Sequence, residues 1–234
     1  MKPKQLAHVR KQLVDHQHLD YMVDLVIAPD LTLRDFEVHA GVLRSDRMVA
    51  LNFARWLYQE RDRYRGKTVL DMGSGSGIQG IVMALAGARH VVFNDNSEPA
   101  VKNTQVNVNK YGLKDKTTVY HGDLFEKIEK PVDIGFFNHP FFSTEEHPFF
   151  NDQLVRELII PGAMVDNHGT THRFLDGART YIREAIFMPF YHPAGEANNP
   201  GVQGLKHGYK VKEVHNEEVN IGLQQGRVSI YELR

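Results

Sequence analysis

An α/β fold with a doubly wound, Rossmann-like sheet of seven strands, mostly parallel and completed by a C-terminal antiparallel strand, is predicted from three observations. From Thr68 onward, short apolar runs alternate with helical stretches, a pattern that demands right-handed crossovers and a sheet covered on both faces. A glycine-rich turn joins the first of these strands to the first of these helices. The last two extended runs are joined through a Gly-containing segment, as an antiparallel pair would be. A length of 234 residues suits one large domain with an appendage better than two cores. Residues 1–40 are therefore read as a short N-terminal helical and extended segment, and residues 41–234 as the main domain.

Taken in order, Lys4 to Val14 has the pattern of a short amphipathic helix, and Leu31 to Leu43 mixes extended-type residues with Gly41. Arg47 to Tyr58 places apolar side chains at helical intervals. Thr68 to Met72 (TVLDM) reads as a buried strand, Gly77 to Ala86 as a helix, and His90 to Asp95 (HVVFND) as the next strand. Pro99 to Tyr111 is helical, with Ser97 as its cap and Pro99 tolerated in the first turn. Strands follow at Thr117 to His121 and Val132 to Phe137, then a helix at Thr171 to Tyr181 and a strand at Ala185 to Phe190. Tyr209 to Val214 and Arg227 to Leu233 form the terminal pair. In such folds ligands bind beyond the carboxyl ends of the strands, so the residues just after each strand carry the functional information.

Composition removes several classes of protein. With 28 Lys and Arg against 29 Asp and Glu, the charge is not that of a protein that coats phosphates with positive residues. The absence of Cys excludes disulfides, thiolate metal sites and a cysteine nucleophile. The opening residues carry no apolar stretch behind their positive charges, and no run of about 18 apolar residues occurs, so neither export nor a membrane span is expected and a cytoplasmic location is.

The segment VLDMGSGSGIQG, Val69 to Gly80, is the most specific and has two readings. From Gly75 it is GxGxxG, with Asp95 placed 20 residues on, as in enzymes that bind NAD. From Asp71 it is DxGxGxG, which resembles the first motif of class I methyltransferases that bind S-adenosylmethionine. Charge favours the second: a pyrophosphate about 5 Å from Asp71 would be repelled by roughly 3 kcal/mol at an effective dielectric near 20, whereas a sulfonium would be attracted.

Further along, VDIGFFNHPFF ends in Asn138, His139, Pro140 and Phe141, where the same resemblance expects an NPPY or NPPF turn. The match is to methyltransferases acting on planar nitrogens, including glutamine side-chain amides and exocyclic amines of nucleobases. It implies that Asp71, Gly73, Gly75 and Gly77 cradle the cofactor. Asp95, with Asn96 beside it, would hold the ribose hydroxyls, and Asp123, with Leu124 beside it, the adenine end. It implies too that the Asn138 side-chain oxygen and the carbonyl of residue 139 accept the two N–H bonds of the acceptor nitrogen, aiming its lone pair at the methyl group, with Asn138 also bordering the cofactor. Pro140 would stiffen the turn and Phe141 offer a face for a flat substrate. His139 departs from the pattern, since the family usually has proline there.

The expected function is thus transfer of a methyl group from S-adenosylmethionine to a planar nitrogen of a protein glutamine, an RNA base or a small molecule. The alternatives are an NAD-dependent oxidoreductase and a module that binds the cofactor without turnover. No metal is expected: His168 and His172 with Asp166 nearby are read as a polar surface or substrate loop, and His16 and His18 are discounted too. The basic cluster Arg55, Arg61, Arg63, Arg65 and Lys67, interleaved with Trp56, Tyr58 and Tyr64, is read as a solvated helix end.

Overall fold

The structure is a computed structural model that describes residues 19–46, 48–144, 147–151, 153, 156, 162–166, 168–221 and 224–234. The helix expected at Lys4 to Val14, and His16 and His18, lie outside the described residues. The first described elements are two strands, β1 (Tyr21–Ala28) and β2 (Leu31–Val38), paired antiparallel as a separate two-stranded sheet. Helix α1 (Met48–Gln59) leads into the main domain. There, β3 (Thr68–Met72), α2 (Ile78–Leu85), β4 (His90–Asp95), α3 (Glu98–Lys110), β5 (Thr117–His121) and β6 (Val132–Phe137) follow with the expected alternation. The chain ends with α4 (Thr170–Tyr181), β7 (Ile182–Tyr191), α5 (Pro200–Lys206), β8 (Val211–Ile221) and β9 (Gln224–Leu233).

The main sheet has seven strands in the order β5-β4-β3-β6-β7-β9-β8. Strands β5, β4, β3, β6 and β7 are mutually parallel, and β9 runs antiparallel to both β7 and β8. The fold class matches the expectation. β1 and α5 are additions to it. The chain winds outward from β3 to β5, then returns to place β6 on the other side of β3, which creates a switch point beside the end of β3.

Alternation along each strand sorts the core into two layers. Val69, Val91, Phe93 and Phe136 pack under α1, α2 and the hairpin with Phe53, Trp56 and Ile81. Leu70, Met72 and Phe137 face the opposite layer, with Phe174 and Leu175 of α4. Gly80 is needed here for contact: a Cβ on it would lie 2.1 Å from the Phe93 ring, so α2 can rest on β4 only without a side chain at that point. The basic cluster is a helix end, as expected: Trp56 and Tyr64 belong to the core, Arg63 pairs with Glu60 and Glu232, and Lys67 with Glu184.

α3 buries a polar face. Asn103, Thr104 and Asn107 are each 0% exposed, and their side chains tie the hairpin to the glycine turn. Asn107 Oδ1 accepts the Glu37 N–H at 3.0 Å, while its Nδ2 donates to the carbonyls of Glu37 at 2.8 Å and Ser76 at 2.9 Å. Asn103 accepts from His39 N–H at 3.0 Å and donates to the Glu37 carbonyl at 2.9 Å. Thr104 donates to the Gly75 carbonyl at 3.0 Å. An unpaired buried polar group costs about 1–3 kcal/mol. Asn107→Ala strands groups on two segments and is expected to lower stability by about 2–4 kcal/mol in urea unfolding. Asn109→Ala, at an exposed position on the same helix, is expected to change it by less than about 0.5 kcal/mol.

Candidate active site

The turn after β3 is shaped by its glycines. Gly73, Gly75 and Gly77 all have positive φ, at 63°, 56° and 84°, which residues with a Cβ rarely adopt. Gly73 and Ser74 donate their N–H groups to the Asn94 carbonyl at 2.8 and 3.2 Å, and Gly77 stands as the N-cap of α2. The turn forms one wall of a cleft at the carboxyl ends of the strands. The other walls come from Asn94 to Ser97 after β4, Gly122 to Leu124 after β5, and Phe137, Asn138 and Pro140 after β6.

Most of the sequence-predicted residues meet in this cleft. Gly73, Gly75, Asp95, Asn96, Asp123, Leu124, Asn138 and Pro140 all line it. Asp71, Gly77, His139 and Phe141 do not. Asp71 is 1% exposed and lies beneath α2, where its Oδ2 accepts the Gly80 N–H at 2.8 Å. Burial pushes its carboxyl up to about 8, with the Gly80 N–H opposing and the Asp95 charge reinforcing the shift. The expected attraction between Asp71 and a sulfonium is corrected: the carboxyl is shielded from the cleft, and in the structure it pins the first turn of α2 through the Gly80 N–H.

Asp95 is bifunctional. Its Oδ2 accepts the Gly75 N–H at 2.9 Å and its Oδ1 the Ser97 N–H at 2.9 Å, so the aspartate rather than the Ser97 side chain anchors the start of α3. Burial raises its pKa, against the N–H groups of Gly75 and Ser97. Each carboxylate oxygen keeps lone-pair capacity for a ligand. Asp123 is ion-paired with Arg173 of α4. Leu124, at φ 47°, is held by Asn94, whose Nδ2 donates to the carbonyls of Gly122 at 2.9 Å and Leu124 at 3.0 Å.

The turn after β6 departs from expectation at two side chains. Asn138 is half-buried on the cleft wall, and its side chain makes no hydrogen bond to a described residue. Phe141 was expected to present its face to substrate; it instead meets His139 edge-on at 5.2 Å and Phe190 edge-on at 5.8 Å, behind the cleft. His139 is 1% exposed and points its Nδ1 at Thr171 Oγ1, 3.0 Å away. Burial pushes its pKa down to about 4, against the Asp166 charge and the carbonyls of Pro189 and Pro140.

Two further walls complete the cleft; of their residues only His168 is singled out by the sequence, as part of a polar surface or substrate loop. Gly41, Val42, Leu43 and Ser45 form a strip between the hairpin and α1, with Ser45 hydrogen-bonded to Ser76 of the glycine turn. Gly162, Ala163, Val165, His168 and Thr170 form the wall beside Asn138. His168 and His172 do not converge: His168 faces the cleft, His172 pairs with His207 at 3.2 Å, and Asp166 caps α4. Among the described residues no group of three or more acidic or histidine side chains is arranged to hold a metal.

The residues fit a nucleoside-type ligand: the glycine turn, Asp95 fixed beside it at Gly75, and Asp123 all line one cleft.

A pH dependence follows from His139. Its folded pKa of about 4 lies below the unfolded value of about 6.5, so its contribution is complete above pH 6.5 and is lost as pH falls toward 4. Denaturant unfolding is expected to show a loss on the order of 3 kcal/mol across that window that His139→Phe removes; equal slopes in the two proteins would contradict the assignment.

Residues 47–164, half of the chain, match the family model described as methyltransferase small domain. A ribosomal protein L11 methyltransferase of Desulforamulus reducens is 44% identical over 69 residues, covering 30% of this chain and 22% of that protein. Protein arginine N-methyltransferase 1 of Schizosaccharomyces pombe is 38% identical over 97 residues, covering 41% and 27%. The chain thus spans only about a quarter of the length of these relatives. In fold, it resembles the Thermus thermophilus 16S rRNA N2 methyltransferase solved with AdoMet and guanosine, with a TM-score of 0.60, 18% identity, and coverage of 92% of this chain and 50% of that one. Among the described residues no helix is long and apolar enough to cross a membrane. The family match decides between the two readings of the glycine turn: the chain belongs to the methyltransferase small domain family, whose methyl donor is S-adenosylmethionine.

Proposed function

We propose that this protein transfers a methyl group from S-adenosylmethionine to a planar nitrogen that carries two N–H bonds. Residues 41–234 would make up the catalytic domain, with the hairpin as its buttress. The observation that carries this reading is Asn138, a half-buried side chain on the cleft wall without a hydrogen bond to a described residue. The bound donor supplies an electrophilic methyl group. The glycine turn and Asp95 hold it, Asp95 through oxygens already fixed by Gly75 and Ser97.

An amide or aniline-like nitrogen is a poor nucleophile because its lone pair is delocalised into the neighbouring π system, so orientation matters more than proximity alone. The Asn138 side-chain oxygen accepts one N–H bond. The carbonyl of His139, which accepts no hydrogen bond from a described residue, would take the other; His139 itself does not line the cleft, so this bond requires the acceptor to reach between Asn138 and Pro140, which do. The two together turn the lone pair toward the methyl group. As the N–C bond forms, the methyl–sulfur bond of the donor would break with its electron pair going to sulfur, leaving a neutral thioether, and the positive charge taken up by the nitrogen would be relieved by loss of a proton to water. The His139 ring is not the base, because it is shut away from the cleft. A glutamine amide, a nucleobase exocyclic amine and a small planar amine all present this nitrogen. The nucleobase class has support from the Thermus thermophilus structure, which holds guanosine, and the protein class from the L11 and arginine relatives.

Two substitutions separate the roles. Asp95→Ala is expected to weaken S-adenosylmethionine binding by about tenfold to a hundredfold, the equivalent of about 1.5–3 kcal/mol, in calorimetry. Asn138→Ala is expected to leave that affinity nearly intact and to cut turnover, since its side-chain oxygen addresses the acceptor nitrogen while the residue merely borders the donor. Full turnover in Asn138→Ala would remove it from the mechanism. For the acceptor, the protein is incubated with methyl-labelled S-adenosylmethionine and extract from cells that lack it. Label lost to protease identifies a protein acceptor, label lost to nuclease a base, and label in the small fraction a metabolite. No incorporation in any fraction would overturn the proposal.

A further inference from the structure

We infer that the His139 side chain is a positioning residue: through Thr171 it locks the Asn138 turn to the N-terminus of α4, supplying the stiffness that a proline would give. The inference rests on the proposed methyl transfer for its meaning, and on hydrogen bonds for its substance. Pro140 lacks an N–H, so the turn has one backbone donor fewer with which to fix itself. The side chain at 139 makes that connection instead, at 3.0 Å to the Thr171 hydroxyl.

Thr171 is itself immobilised. It is 0% exposed, and its N–H donates to Asp166 Oδ2 at 3.0 Å, while the Thr170 N–H donates to Oδ1 of the same carboxylate at 2.6 Å. Asp166 is bound back to the turn: its N–H donates to the Phe142 carbonyl at 2.7 Å, and the Phe142 N–H donates to the Met164 carbonyl at 3.1 Å. The path from His139 along the chain to Phe142, across to Asp166, on to Thr171 and back to the imidazole is a closed ring. Three aromatic rings hold the imidazole plane. Phe190 stacks on it at 6.0 Å with a 13° tilt, Phe141 meets it edge-on at 5.2 Å, and Phe137 lies 5.9 Å away.

Neither His139 nor Thr171 lines the cleft, whereas Asn138, Pro140, Val165 and Thr170 do. The ring therefore does not touch the acceptor; it sets where the Asn138 oxygen and the His139 carbonyl stand relative to the wall formed by residues 162–170. A shift of about 1 Å in such a pair is enough to cost about a hundredfold in rate. His139 thus acts through Asn138, and its loss should appear in turnover rather than in donor affinity.

The test compares Thr171→Val, which keeps the shape and removes the hydroxyl, with Thr171→Ser, which keeps the hydroxyl. Thr171→Val is expected to lower kcat by about tenfold to a hundredfold with S-adenosylmethionine affinity unchanged, and Thr171→Ser to restore most of it. In His139→Pro, where the ring no longer serves, Thr171→Val is expected to have no further effect on kcat. Independently of turnover, the ¹⁵N resonances of the His139 imidazole are expected to move in Thr171→Val and stay in place in Thr171→Ser. Unmoved resonances in Thr171→Val would overturn the tie. Moved resonances with unchanged kcat would overturn the positioning role. Absence of turnover in the unmodified protein would instead defeat the methyl-transfer reading, and the imidazole resonances would still decide the tie.

Discussion

The buried amide face of α3 is the constraint on which the cleft depends. A helix normally turns apolar side chains inward, but α3 turns in Asn103, Thr104 and Asn107, each saturating backbone groups that no sheet partner satisfies. Asn107 alone reaches both Glu37 of the hairpin and Ser76 of the glycine turn. Such bonds gain little when made and cost much when broken, so they specify geometry more than they add stability. The hairpin, the strip from Gly41 to Ser45 and the glycine turn are thereby held as one surface, against which the residues after β4, β5 and β6 close.

Functional residues in this cleft also do structural work. Asp95 fixes the glycine turn and the first turn of α3 before any ligand is present, so its oxygens are already oriented for one. This is preorganisation: the conformational cost is met in folding rather than in binding. Asp123 lines the same cleft and is ion-paired with Arg173 through one of its carboxylate oxygens, which fixes the carboxylate. By contrast, Asp71 stands outside the cleft lining and holds Gly80 from below.

The central fold was legible because its signals are local. The run from Thr68 to Phe137 alternates strand and helix with clear punctuation, and the strand boundaries at 68–72, 90–95, 117–121 and 132–137 coincide with those observed. β1 was not legible: Met22 and Val26 are exposed apolar residues on a strand with no partner in the main sheet, which blurs the alternation that marks a half-buried strand. α5 is seven residues long with two glycines, too short for a periodic signal. The inward face of α3 could be placed in a helix but not read as a clamp, since asparagines at those spacings look like a solvated face. At the site, the residues after each strand were found because the fold itself directs ligands there. The wall from Gly162 to Thr170 was legible only at His168, read as part of a polar surface or substrate loop, because among the described residues it is tied to the turn after β6 by a bridge between Phe142 and Val165 and by backbone bonds of Phe142 to Met164 and Asp166, none of which has a sequence period.

The glycine turn, together with Asp95 and Asp123, is proposed to form a cleft for S-adenosylmethionine rather than for a dinucleotide. Calorimetric titration of the unmodified protein with each ligand in turn tests it most directly. Saturable binding of S-adenosylmethionine at one site per chain is expected, with no heat from NAD beyond dilution. Binding of NAD without binding of S-adenosylmethionine would contradict it.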